Sequence, residues 1–99
     1  MSRASIERKL AAVSEELRLL RSELTVIDEQ LQHFVDEADD ARLRSLVSET
    51  PLAASEHREA AKAVAGIRRD REARMKKVAK LESKQDALLD QLTQVGSGS

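Results

Sequence analysis

Four carboxylates crowd into five positions, Asp36, Glu37, Asp39 and Asp40, and seven bases into thirteen, Arg68, Arg69, Arg71, Arg74, Lys76, Lys77 and Lys80. Dense carboxylates can hold hard cations and dense bases can track phosphates. The acids here follow no calcium-loop spacing, and no His-x-x-x-His pair is present; His33 and His57 stand alone and read as structural. Arg58 and Lys62 are expected to neutralise the acidic run. The basic run is interrupted by Asp70 and Glu72, has no aromatic residue beside it to stack on a base, and faces Glu15, Glu16, Glu23, Asp28 and Glu29. A solvated, salt-bridged face is therefore preferred. Binding of nucleic acid or RNA polymerase through residues 68–80 is the alternative. With no cysteine, no Gly-rich phosphate loop and no Ser-His-Asp constellation, no enzyme activity, metal or cofactor is expected.

The elements that position these groups follow from a period of seven. Leu10, Leu17, Leu24, Leu31 and Ala38 form one row, and Ile6, Val13, Leu20, Ile27, Phe34 and Ala41 the other. The rows alternate by three and four, as the a and d positions of a heptad do. His57, Val64, Arg71, Val78, Gln85 and Leu92 continue as a positions in the second half, with Ala60, Ile67, Arg74, Leu81 and Leu88 at d. If the chain folds back at Glu49, residue i meets residue 98 − i, and each a position lands on a d position, as an antiparallel pair requires. Thr50 is a good N-cap, and Pro51 suits the first helical position, where its missing N–H costs nothing.

The fold class predicted is all-α: an antiparallel two-helix coiled-coil hairpin over residues 1–95. Helix 1 is expected over about 4–47, a turn over 48–50 and helix 2 over about 51–94, with Gly96–Ser99 as a disordered linker tail. After Ala41 the heptad falters, and Asp39 or Asp40 could cap a short extra helix over 41–47. Gly66, mid-helix, costs about 1 kcal/mol relative to Ala unless close packing or bending requires it.

Charged residues form 35% of the chain at a net charge of only −1, so acids and bases interleave as on solvated helix faces. No apolar run approaches the ~20 residues that span a bilayer, and "MSRASIERKL" lacks the apolar stretch of a secretion signal. A cytoplasmic protein with no membrane partner is expected.

Two helices joined by one seam make a marginal scaffold. Ala12, Leu19 and Val26 at c positions, and Ala54, Ala61, Met75 and Leu89 at e positions of helix 2, widen the apolar face. Leu19, Val26, Ala61, Met75 and Leu89 are therefore the candidate self-association residues, pairing two hairpins into a four-helix bundle. Arg71, Arg74 and Gln85 are candidate polar residues of the seam that fix register. The arginine stems are expected to cover the seam while their guanidinium groups reach Glu23 or Asp28. Leu43, Leu46, Val47 and Leu52, near the turn, are candidate partner contacts; their plainer role is to close the end of the hairpin.

Across the turn, "ADDARLRSLVSETPLAASEHREA" resembles the small coiled-coil proteins of high-GC actinobacteria. That resemblance spans the whole chain but includes no motif of known chemistry, so it carries no residue roles. In outline the hairpin also resembles the coiled-coil arm of Gre-type transcript-cleavage factors, which needs two acids at its tip; only Glu49 sits there. The expected function is a non-enzymatic protein-interaction module, an adaptor or regulator, probed against two alternatives: the polymerase or nucleic-acid binder above, and a purely structural spacer.

Overall fold

Sequence periodicity becomes two helices in the computed structural model, which describes residues 2–97. Helix α1 runs Arg3–Ser48 and α2 runs Pro51–Ser97, packed antiparallel as a hairpin with no strand among the described residues. Helix α2 continues through Gly96; of the expected linker tail, Gly98 and Ser99 lie outside the described residues.

Backbone chemistry makes the reversal. Glu49 takes a left-handed conformation, φ 50°, the geometry that ends helices at the position just past the last turn. Its N–H still bonds the Ser45 carbonyl at 3.2 Å. Thr50 then caps α2: its Oγ1 accepts from the Ala53 N–H at 3.1 Å, and its carbonyl accepts from the Ala54 N–H at 3.0 Å. Pro51 opens α2 with its ring at a place that asks for no donor. Two residues suffice for the turn.

The extra helix over 41–47 is not formed; α1 is unbroken to Ser48. Asp39 and Asp40 do not cap anything because α1 runs on through them, and the N–H groups that a cap would satisfy are bonded within the helix. The seam also outlasts Ala41. Ser45 continues the a row and Ala53 the d row, and both are withdrawn from solvent. Their small side chains disguise a heptad that larger residues would have announced.

The chain divides into two compact units, Met1–Glu23 with Arg74–Ser99, and Leu24–Ala73. In the first, Ile6, Val13, Leu17, Leu20, Val78 and Leu88 are buried, with Leu10, Gln85, Leu81 and Leu92 half-buried between them. Burying a leucine contributes about 1.5–3 kcal/mol, and Leu17, only 1% exposed, realises all of it. In the second, Leu24, Ile27, Ala41, Ala53 and Val64 are buried. Here the layers thin to alanine, and an open groove of about 480 Å³ runs past Phe34, Ala41, Ala60 and Ala63. Gly66 lies in this unit, and a Cβ built there would meet nothing nearer than Arg69 Nη2 at 3.9 Å. Close packing does not require that glycine.

Candidate interaction surfaces

Polar contacts between the helices fix the register and show which surface belongs to which side. Arg71 Nε donates to Asp28 Oδ1 at 2.6 Å, and Arg74 Nε to Glu23 Oε2 at 3.0 Å. Gln85 Nε2 donates to Ser14 Oγ at 3.3 Å, while Arg21–Glu82 and Arg44–Glu56 approach to 3.8 and 3.9 Å. The residue numbers of these pairs sum to between 97 and 103, beside the 98 of a fold at Glu49. Arg71 and Arg74 thus sit at seam positions and spend their planar donor groups on carboxylates of α1. Their stems cover apolar neighbours while the charge stays near water.

Two of those pairs assign the flanks. Arg21 and Glu82 are both e positions, and Arg44 and Glu56 are both g positions, as antiparallel helices place e beside e and g beside g. Met75 and Leu89 are e positions of α2 and lie on the e flank of the first unit. Leu19, a c position of α1, lies beyond the g flank of that unit. In the second unit Ala61 takes the e flank and Val26 the g side. All five are exposed. The single widened apolar face expected from Leu19, Val26, Ala61, Met75 and Leu89 is therefore divided within each unit: Leu19 lies opposite Met75 and Leu89 in the first, and Val26 opposite Ala61 in the second. Which flank a c or e position joins is fixed only by how the two helices pair.

The largest exposed apolar side chains gather beside the turn. Leu43 is 61% exposed, Leu46 62%, Val47 84% and Leu52 69%. Spacing of three and four puts Leu43, Leu46 and Val47 on one face of the last turns of α1. That face points away from the seam, so these residues do not close the end of the hairpin. Leu52 is the second residue of α2, just past the turn.

The acidic run joins the same face. Asp36, Asp39 and Asp40 repeat, one heptad earlier, the f, b and c positions of Leu43, Leu46 and Val47. All three are exposed. Asp36 accepts a hydrogen bond from Gln32 Nε2 at 3.0 Å. Among the described residues none of the three forms an ion pair with Arg58 or Lys62. Lys62 instead reaches Glu59, three residues before it, at 3.4 Å. A neighbour on the same helix turn is nearer than one on the other helix, so the expected neutralisation does not occur.

The bases of residues 68–80 divide between the seam and the outside of α2. Arg71 and Arg74 turn inward to Asp28 and Glu23, while Arg68, Arg69, Lys76, Lys77 and Lys80 occupy e, f, f, g and c positions around α2. Arg69, Lys76, Lys77 and Lys80 fall towards one outer side of α2, but Glu72 interrupts them and no aromatic residue stands beside them to stack on a base. His33 is exposed and meets Phe34 edge to face at 6.3 Å between ring centres. His57 is half-buried in the seam, and its Nδ1 is buried without a hydrogen-bond partner among the described residues. No group of three or more His, Cys, Asp or Glu able to hold a metal ion comes together among the described residues. No described helix is long and apolar enough to cross a membrane. Compared with known proteins, the chain matches no family model, and no curated protein or solved structure matches it at the significance required.

Proposed function

We propose that the protein is a non-enzymatic interaction module, an adaptor or regulator in the cytoplasm, that binds another protein beside its turn. The observation that carries this reading is the exposure of Leu43, Leu46, Val47 and Leu52 within ten residues. Large apolar side chains scattered singly need no explanation, but a cluster on a charged helical surface marks a contact site. None of the four supports the seam, so their apolar character has no role in holding the hairpin together.

Self-association belongs to the same proposal in a narrower form. Because Leu19 lies opposite Met75 and Leu89 in the first unit, and Val26 opposite Ala61 in the second, a four-helix bundle of two copies would use one side of each unit and leave the other in water. A purely structural spacer has no use for leucines beside its turn. Nucleic-acid binding is less favoured because Arg71 and Arg74 face their own carboxylates, Glu72 interrupts the outer bases and no aromatic residue stands beside them to stack on a base.

The test is a pull-down from the native host with the wild type against a Leu46→Asp, Leu52→Asp variant of unchanged helicity. The interaction reading expects a specific protein retained by the first and lost by the second. Equal capture by both would contradict it, and so would capture of nucleic acid alone.

A further inference from the structure

The outer face of α1 also specifies the chemistry of its partner. Asp36, Asp39 and Asp40 fill its f, b and c positions, and Leu43, Leu46 and Val47 fill the same positions of the next heptad. An acidic triad and an apolar triad therefore stand on one face within the second compact unit. The acids are exposed and carry no ion pair among the described residues. The last turn of α1 holds no basic residue to face the negative end of its macrodipole. Arg42 and Arg44 stand at the e and g flanks between the two triads, Arg44 directed to Glu56, so the outer f, b and c positions beside the apolar patch themselves carry only negative charge.

We infer that this face binds a basic amphipathic helix of another protein, antiparallel to α1. The partner's leucine-type residues would cover Leu43, Leu46 and Val47, and its Lys or Arg residues, one heptad further on, would meet Asp36, Asp39 and Asp40. Antiparallel docking also brings the negative end of α1 towards the positive end of the partner helix. The three-and-four spacing of both triads matches how amphipathic helices present anchors.

A second copy of this chain offers no such complement. On the outer face of α2, Lys76, Ala79 and Lys80 are flanked by Arg69, Glu72 and Ala73 on one side and by Ser83, Asp86 and Ala87 on the other. Bases are present there, but no large apolar triad lies one heptad away. An anionic membrane is disfavoured as well, since three carboxylates would approach lipid headgroups of like charge.

This inference rests on the interaction reading above, and the experiment separates the two. Full-length protein is titrated against labelled synthetic helices bearing Leu-x-x-Leu-Val followed, one heptad later on the same face, by Lys-x-x-Lys-Lys or by Glu-x-x-Glu-Glu. Fluorescence anisotropy should show the lysine peptide binding at least about tenfold more tightly, a difference of ~1.4 kcal/mol. An Asp39→Lys, Asp40→Lys variant, both changes lying on a solvated face, should reverse that preference. Leu46→Ala should weaken binding of the lysine peptide.

No binding of the lysine peptide, or equal binding of both peptides, overturns the inference. So does a dimer in sedimentation that Leu46→Ala dissociates, or adsorption to phosphatidylserine vesicles that depends on Leu46. If the host partner is lost on Leu46→Asp, Leu52→Asp yet retained by Asp39→Lys, Asp40→Lys, the interaction reading survives and the charge-matched helix does not.

Discussion

Arg71 of α2 donates to Asp28 of α1 at 2.6 Å, from a seam position that the heptad pattern reserves for an apolar residue. The pair is partly exposed, so its contribution is small, about 0–1 kcal/mol. Its value lies in register, since a slipped pairing would leave an arginine in the seam without its carboxylate. Arg71→Leu should stabilise the hairpin by about 1 kcal/mol in urea denaturation, because leucine fills the seam without a charge to accommodate. Asp28→Ala should cost less than about 1 kcal/mol.

Leu17 is the most completely enclosed large side chain of its unit together with Ile6. Leu17→Ala should destabilise by about 2–4 kcal/mol, a large share of what a two-helix scaffold possesses. Thermal unfolding followed by circular dichroism measures it. A loss below 1 kcal/mol would mean that Leu17 is not packed between the helices.

The turn offers two changes of opposite sign. Thr50→Ala removes the acceptor of the Ala53 N–H and should cost about 1 kcal/mol. Glu49→Gly relieves a left-handed conformation at a residue with a side chain and should stabilise by about 1 kcal/mol. Both are read from urea midpoints. Destabilisation by Glu49→Gly would show that Glu49 does not adopt that backbone geometry.

Glu15 meets Arg18 on the surface of α1. The hydrogen bonds from Arg18, at 3.0 and 2.6 Å, hold its pKa below the usual glutamate range. A depressed folded value means that its stabilisation is present above the ordinary glutamate pKa and fades as pH falls through the folded one. The pair is fully exposed, so salt should screen the effect. An NMR titration should place Glu15 below free glutamate at low salt, with Arg18→Ala returning it to the ordinary range.

How much of this was legible in the sequence depends on what the heptad encodes. From Ile6 to Ser45 and from Ala53 to Leu92 the a and d residues are all buried or half-buried, and only Arg3, Ser48 and Val95 at the helix ends are exposed, because a period of seven states directly which residues share the seam. The reversal was legible too, since Thr50-Pro51 combines a cap with a helix-starting proline. The flanks were not. That Met75 and Leu89 lie away from Leu19 follows only when e of one helix is set beside e of the other, as Arg21 and Glu82 are. The open charge of Asp36, Asp39 and Asp40 was hidden because facing bases suggested neutralisation, whereas Lys62 found Glu59 on its own helix.

Docking beside the turn is tested most directly by photocrosslinking in the native host from benzoylphenylalanine placed at Leu46, with Ala11 as comparison. Both are exposed b positions of α1, five heptads apart. A discrete protein adduct from position 46 with none from position 11 is the expected result. Equal adducts from both, or adducts from position 11 alone, would contradict a docking surface at Leu43, Leu46 and Val47.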